Sequence, residues 1–308
     1  MVLEPIVKWS GSKRSQAAEI VARMPREIGT YYEPFCGGCS VLFRLLQTPS
    51  IKVERYVASD LNQDLIGLWT MIMECPNELI DGYTRLWREF NEDPYAEVRL
   101  YQRSTSECYS HRKEYFEKVR SRYNETHSPI DFLFIMRTTT NGMPRYNGQG
   151  VFNNSCHFSR PGIHPKRLSD ICKRWSAILK SKNVEFRCAS YEMLNPESSD
   201  LLYLDPPYAS VHKRQMYFGG IDIGAFVNWL STRKCKWLMS FDGKRGDTDC
   251  TYDIPKIIYK RHEYLNAGNS PFERYLGKGR TEEVLESLYM NYDPPIDSIR
   301  IIEQGLLF

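Results

Sequence analysis

The residues best suited to chemistry are Asp205, Pro206, Pro207 and Tyr208, which directly follow the apolar run Leu201–Leu204. A short continuous apolar run is typical of a buried parallel strand, and ligands of open α/β sheets bind beyond the carboxyl ends of such strands. Proline fixes φ and has no N–H, so the Pro206 carbonyl can be held as an acceptor beside the Asp205 carboxylate. Two acceptors and an aromatic ring suit a planar group that carries an NH2, such as adenine. A tight strand-ending turn with a partly buried tyrosine is the other interpretation, and these four residues alone do not decide between the two.

A second group of residues has the properties of a cofactor site. Glu33 ends a predicted strand, and Gly37 and Gly38 after it let a ligand approach the backbone just before a helix N-terminus. Asp60 closes the next predicted strand, where an acid can accept hydrogen bonds from ribose hydroxyls. The spacing differs from the GxGxxG fingerprint and no P-loop is present, which favours an adenosine-bearing cofactor of another kind. Taken singly, each feature also fits a tight turn or a surface aspartate.

The composition indicates a folded protein of the cytoplasm. The chain has 308 residues, of which 42% are hydrophobic, enough for one large domain or two ordinary ones with a proper core. No secretory signal and no apolar stretch of membrane-spanning length is visible, and nine scattered cysteines fit reduced cytosolic thiols. The CxxC at Cys36 and Cys39 has no second pair at zinc-ligand spacing, so no metal site is predicted.

Charge is distributed unevenly along the chain. Residues 95–182 carry 16 Lys and Arg against 7 Asp and Glu, although the net charge of the whole chain is only +3. A basic segment in a nearly neutral chain is typical of a polyanion-binding insert. A solvated helical face is the plainer explanation of charge runs, and both interpretations fit this excess.

The order of predicted elements indicates an open, mostly parallel α/β sheet that is interrupted by an insert. Residues 1–70 and 183–308 are predicted to form a catalytic domain, and residues 71–182 an inserted domain of helices followed by a loop or hairpin at 141–165. The alternating segment 283–292 is predicted to be an antiparallel edge strand. The other predicted strands are 30–33, 55–60, 184–189, 201–204 and 236–241, and the predicted helices include 40–47, 62–72, 130–140 and 165–180.

Taken in order, these pieces resemble the Dam-type DNA adenine N6-methyltransferases of the D12 class, with the alpha-group order of motifs. The matching segments are 8–13 (KWSGSK), 33–38 (EPFCGG), 58–62 (ASDLN), 137–147 (RTTTNGMPRYN), 150–153 (GVFN), 205–208 (DPPY) and the closing segment 281–292. The resemblance spans residues 8–292. It implies a Rossmann-like class I methyltransferase fold with an inserted, mainly helical target-recognition domain. It also implies methylation of the N6 amine of adenine in double-stranded DNA by base flipping and direct transfer, at GATC or a related short site.

The resemblance further implies S-adenosylmethionine as cofactor, with Asp205, Pro206, Pro207 and Tyr208 holding the target adenine. Residues 33–37 would form the loop beside the methionine end of the cofactor. The full set of implied cofactor contacts is Trp9, Ser10, Gly11, Lys13, Glu33, Pro34, Phe35, Cys36, Gly37, Asp60, Leu61, Ser190, Tyr191 and Asp205.

The residues implied to face DNA are Lys8, Arg137, Asn141, Arg145, Tyr146, Asn153, His157 and Arg160. Arg145 is the candidate to recognise a guanine, since a guanidinium fork matches guanine O6 and N7. For His157 and Arg160, phosphate contacts or loop packing fit as well as base recognition. A monomer in solution is expected, and a dimer on palindromic DNA stays open.

Three single positions and the stretch 153–160 depart from the family pattern. Cys39 stands where the cofactor loop usually has a second glycine, and Ser190 where an acid usually precedes the aromatic residue. Thr140 stands where an aromatic residue often wedges into the duplex, so Tyr146 is suggested as the aid to flipping.

Two other functions are kept beside adenine methylation. A cytosine N4-methyltransferase would use the same amine chemistry, but its motif usually begins with serine, so Asp205 argues against it. A DNA-binding module without catalytic activity is the other alternative, and the departures at Cys39 and Ser190 favour it.

Overall fold

The computed structural model describes residues 4–9, 11–92, 105–139, 144–157, 160–207, 221–269 and 283–295. The chain divides into two compact units. The helical unit consists of Met1–Gly11 and Asn62–Ser181, and the sheet unit of Ser12–Leu61 and Lys182–Phe308. The division therefore falls just after residue 61, rather than at the predicted boundary after residue 70, and the N-terminal segment belongs to the helical unit.

The predicted helices and strands are present, with ends that differ by a few residues. The helices are α1 (Ala17–Ala22), α2 (Ser40–Leu46), α3 (Gln63–Glu74), α4 (Pro76–Asn91), α5 (Thr105–Thr126), α6 (Pro129–Thr138), α7 (Pro165–Ser181) and α8 (Ile223–Ser231). The strands are β1 (Glu27–Glu33), β2 (Lys52–Asp60), β3 (Val184–Cys188), β4 (Leu201–Leu204), β5 (Lys236–Arg245), β6 (Thr248–Asp249), β7 (Arg261–Asn269) and β8 (Glu283–Met290).

The sheet unit is built on one mixed sheet with strand order β3-β2-β1-β4-β5-β8-β7, to which β6 adds by pairing with β5. The pairs among β3, β2, β1, β4 and β5 are parallel, and β8 is antiparallel to both β5 and β7. All four residues of β4 are at most 1% exposed, as expected for a parallel strand that is covered on both faces. The order reverses between β1 and β4, which is the switch point where doubly wound sheets bind ligands.

The prediction that β8 is an edge strand was wrong. It lies between β5 and β7, and β7 itself was not predicted. The β7 sequence, RHEYLNAGN, has neither an apolar run nor a clear alternation, so its strand character depends on its pairing with β8. At the β5 bulge beside β8, a Cβ on Gly243 would lie 2.3 Å from the Leu285 carbonyl oxygen, so this close approach requires glycine.

The helical unit packs around α6. Every residue of α6 from Asp131 to Thr138 is buried, and α3, α4 and α5 all contact this helix. After α6 the chain forms a small antiparallel hairpin with bridges between Thr139 and Cys156 and between Tyr146 and Phe152, in agreement with the predicted loop or hairpin. Within the described residues, no helix has the length and apolarity that a membrane crossing requires.

The N-terminal segment is held by α6 and α7. The indole of Trp175 donates to the Glu4 carbonyl at 3.1 Å, and Arg167 forms two 2.7 Å hydrogen bonds with the Glu4 carboxylate. Arg137, at the end of α6, donates to the Pro5 carbonyl at 2.5 Å. The motif at residues 8–13 is therefore divided: Lys8, Trp9 and Gly11 belong to the helical unit, and Lys13 to the sheet unit.

Candidate active site

Three carboxylates lie at the carboxyl ends of adjacent parallel strands in the sheet unit. Glu33 is the last residue of β1, Asp60 is the last residue of β2, and Asp205 directly follows β4. Because β1 pairs with both β2 and β4 in parallel, these ends meet at one edge of the sheet. The sequence placed each of these acids at the end of a predicted strand, and the family resemblance implied that all three contact the cofactor.

Lys13 is the cation of the site. Its ammonium lies 3.0 Å from Asp205 Oδ1 and 3.3 Å from Glu286 Oε2, and its side chain is only 4% exposed. Burial by itself lowers the pKa of Lys13, but the attraction of Asp205 and Glu286 outweighs burial and leaves the pKa above its ordinary value. Lys13 is therefore charged at neutral pH, and its 3.0 Å ion pair orients the Asp205 carboxylate.

Glu286 is a site residue that sequence reasoning missed. It belongs to β8, whose segment carries a family resemblance but was given no role. Glu286 directly precedes four buried residues of this strand. A charged residue at such a place is unusual, and this signal could have identified Glu286 as a site residue. With Glu286 included, Lys13 faces two carboxylates, so the group of three carries a net negative charge.

Glu33 differs from the other acids because it is fully enclosed. It accepts a 2.6 Å hydrogen bond from the Tyr31 hydroxyl, and burial raises its pKa to about 8. In the unfolded chain the same carboxyl ionises near 4.5. The folded protein therefore holds an additional proton between these two values, and the stability contributed by Glu33 falls as the pH rises through this range.

Replacing Glu33 by glutamine is expected to remove this part of the pH dependence. Relative to wild type, the free energy of unfolding of Glu33→Gln should rise between about pH 5 and pH 8, by roughly 3–5 kcal/mol in total. Urea unfolding of both proteins at several pH values checks this. A constant difference across the range would mean that Glu33 is ionised in the folded protein.

The loop after β1 is fastened to the end of β2. The Cys36 N–H donates to the Ser59 carbonyl at 3.0 Å, and the Gly37 N–H donates to Asp60 Oδ2 at 3.1 Å. Gly37 has φ of +44°, and Cys39, which precedes α2, has φ of +53° and ψ of +31°. Cys39 thus occupies the left-handed conformation that favours glycine, the residue that the family resemblance led us to expect here.

We expect Cys39→Gly to change the free energy of unfolding by less than about 1 kcal/mol, because relief of the left-handed backbone offsets loss of a buried side chain. Cys39→Val should lose about 2 kcal/mol or more, since a β-branched residue tolerates this conformation poorly. Urea unfolding of the two variants measures the difference. Equal losses would show that packing of the thiol, and not backbone conformation, decides this position.

The aromatic cofactor candidates of the sheet unit lie in a cluster. The ring centroid of Tyr191 lies 5.7 Å from that of Phe35 and 5.1 Å from that of Phe226. Ser190 begins the short 3-10 turn Tyr191–Met193, and its hydroxyl oxygen accepts from the Glu192 N–H at 3.4 Å. The side chain that replaces the usual acid therefore has a local structural role. Three other cofactor candidates differ in exposure. Leu61 is 56% exposed, whereas Pro34 is buried. Trp9, which belongs to the helical unit, is partly buried.

The candidate DNA contacts of the helical unit fall into two groups. Lys8 is exposed, and its pKa is lowered by partial burial and by the nearby charges of Arg160 and Arg137. Arg137 is buried, which lowers its pKa to about 10, and it donates to the N-terminal segment. His157 is partly buried, and its N–H donates to the Thr138 carbonyl at 2.9 Å.

The second group belongs to the hairpin. The exposed Arg145 donates from Nε to Asn153 Oδ1 at 2.9 Å. The ring of Tyr146 packs edge-on against Phe152 at 5.5 Å, and its hydroxyl lies 3.3 Å from the hydroxyl of Tyr123. Tyr146 therefore supports the hairpin in this structure. Four residues named from the sequence, Ser10, Thr140, Asn141 and Tyr208, lie outside the described residues.

Comparison with known proteins decides the family. Residues 9–253 match the family of D12 class N6 adenine-specific DNA methyltransferases, which is most of the chain. The chain belongs to this family. It is an adenine-specific DNA methyltransferase, as the resemblance of its motifs predicted.

The relatives of this methyltransferase agree with that assignment. It is 28% identical to the type II methyltransferase M.MjaIII of Methanocaldococcus jannaschii, over 95% of this chain and 100% of that protein. It is 27% identical to the DNA adenine methylase of Vibrio cholerae, over 66% of this chain and 64% of that protein. Among solved structures it is similar to the rRNA methyltransferase aviRa from Streptomyces viridochromogenes, with a TM-score of 0.39 and 10% identity over 96% of this chain and 91% of that one. A likeness of this size supports no conclusion about substrate.

Proposed function

We propose that this enzyme transfers the methyl group of S-adenosylmethionine to the N6 amine of an adenine that is flipped out of double-stranded DNA, at one short site. The observation that carries the proposal is the ion pair between the buried Lys13 and the partly buried Asp205 at the end of β4. It holds a carboxylate acceptor at the switch point of the sheet, next in the chain to Pro206 and its carbonyl.

The residues present fit S-adenosylmethionine. Asp60 ends the strand next to β1, where an acid can accept from ribose hydroxyls, and residues 33–37 adjoin it through the Gly37 N–H. Among the described residues of this group, the two carboxyl groups of Asp205 and Glu286 outnumber the cation Lys13, an arrangement that suits a sulfonium ion. When bound, the cofactor supplies an electrophilic methyl group.

The task of the protein is to make the amine nucleophilic. The lone pair of an exocyclic N6 is delocalised into the adenine ring. Hydrogen bonds from its two N–H groups to Asp205 and to the Pro206 carbonyl would favour a tetrahedral nitrogen with a localised lone pair. This is electrostatic preorganisation together with alignment, and it needs no covalent intermediate. After transfer, the nitrogen loses one proton, for which Asp205 is the adjacent acceptor.

Removal of the adenine from the stack is a further part of the proposal, because its N6 amine cannot reach such a site inside a duplex. Tyr208 is proposed to replace the lost stacking. Arg145 is proposed to recognise a guanine of the site, which we propose to be GATC or a related sequence. We propose that the enzyme is a monomer in solution.

Methylation mapping tests the proposed function. The chain is expressed in cells that lack adenine methylation, and genomic DNA is sequenced by a method that reports N6-methyladenine and N4-methylcytosine, with Asp205→Ala as the control. We expect N6-methyladenine in one short motif in the wild type alone. N4-methylcytosine, or no modification by soluble folded protein, would overturn the proposal.

A further inference from the structure

Asn153 accepts hydrogen bonds from one edge of the Arg145 guanidinium, the edge formed by Nε and Nη2. Arg145 Nε donates to Asn153 Oδ1 at 2.9 Å, and Nη2 donates to the Asn153 carbonyl at 3.2 Å. In return, the Asn153 N–H donates to the Arg145 carbonyl at 2.9 Å. Three hydrogen bonds between the two residues restrict both the backbone and the side chain of Arg145.

Helix α5 holds Asn153 in turn. Asn124 of this helix accepts from the Phe152 N–H at 2.9 Å and donates to the Phe152 carbonyl at 3.1 Å, and Phe152 is only 1% exposed. On the other side, Arg120 donates to the Asn154 carbonyl at 2.8 Å. The residues before and after Asn153 are thus bonded to one helix, so Asn153 is a fixed support although Arg145 is exposed.

This arrangement leaves a particular part of Arg145 available. Asn153 uses Nε and one Nη2 proton, and Nη1 makes no hydrogen bond to any residue in the described ranges. The remaining end-on edge presents one N–H from Nη1 and one from Nη2 in a plane. Two parallel N–H donors are what guanine O6 and N7 accept in the major groove.

We infer that Asn153 is a specificity-determining positioning residue, which acts on DNA through Arg145 and does not recognise a base itself. Its Oδ1 and its carbonyl both accept from Arg145, so these atoms serve the arginine. Asn153 thereby orients the Arg145 fork toward the N7 and O6 edge of guanine. The inference rests on the proposed role of Arg145.

The test uses duplexes that contain the mapped site, with each guanine in turn replaced by 7-deazaguanine, which lacks only the N7 acceptor. For the wild type we expect kcat/KM to fall about tenfold at one guanine. Arg145→Ala should abolish this N7 penalty. Asn153→Ala should reduce it to about threefold or less, while Asn153→Asp, which keeps an acceptor at the same place, should retain it.

Asn147→Ala is the matched control. Asn147 Oδ1 accepts from the N–H groups of Gln149 and Val151 in the turn of the same hairpin, and among the described residues this amide oxygen forms no hydrogen bond with Arg145 or Asn153. This variant should retain the N7 penalty, because it loosens the turn without releasing the guanidinium. The inference is overturned if Asn153→Ala keeps the full penalty, or if Asn147→Ala loses it to the same extent.

Other outcomes would contradict the premise that Arg145 recognises a guanine. If methylation occurs but the wild type shows no N7 penalty at any guanine, or if Arg145→Ala retains the penalty, Arg145 is not the reader of guanine and the inference falls with it. If no adenine is methylated at all, the proposed function itself fails.

Discussion

Asp205→Ala is expected to lower the rate of methyl transfer by about a thousandfold or more while leaving the protein folded. Removing one preorganised polar group that stabilises a transition state commonly costs a hundredfold to a thousandfold in rate. Here the loss should lie at or beyond the upper end, because the Lys13 ammonium at 3.0 Å would remain without its nearer carboxylate and would repel the developing positive charge on N6. Single-turnover transfer at saturating S-adenosylmethionine measures the chemical step.

Asp205→Asn is the matched variant for charge. It keeps the shape and one acceptor oxygen but not the ionised carboxylate, so its rate should lie between those of the alanine variant and the wild type. Circular dichroism and thermal unfolding confirm that both variants fold. A transfer rate of Asp205→Ala within about tenfold of wild type would contradict the assigned role of this residue.

Lys13→Met is expected to lower the free energy of unfolding by about 3 kcal/mol or more. The substitution leaves the carboxylates of Asp205 and Glu286, each 18% exposed, close together without the cation between them. Breaking a buried ion pair by removing one partner typically costs 3–5 kcal/mol, because a charge stays behind without compensation. Urea unfolding near pH 7 measures the loss.

Two further variants test whether the loss comes from the burial of Lys13 and the carboxylates left beside it. Lys52 pairs with Glu27 at 3.8 Å, but both side chains are 82% exposed, so Lys52→Met should cost less than about 1 kcal/mol. The double variant Lys13→Met and Glu286→Gln should recover part of the stability that the single variant loses, without recovering activity. Equal losses for Lys13→Met and Lys52→Met would show that burial of the Lys13 group contributes little.

Local sequence signals determined much of the fold. The β4 strand was predicted at its observed residues because a parallel strand that is covered on both faces must be apolar at every position. Strand β7 was missed and β8 was wrongly predicted to lie at an edge, since the place of a strand within a sheet depends on its partners.

The sequence by itself also determined the family, and with it the activity on adenine in DNA, because the motifs occur in order over most of the chain. It identified Cys39 as a departure, but only the backbone angles show that a left-handed residue is required there. Only the tertiary structure decided that Glu286 joins Lys13 and Asp205, and that Asn153 supports Arg145. Local periodicity and motif order are properties of neighbouring residues, whereas the pairing of charged groups depends on which strands and loops the folded chain brings within hydrogen-bonding distance.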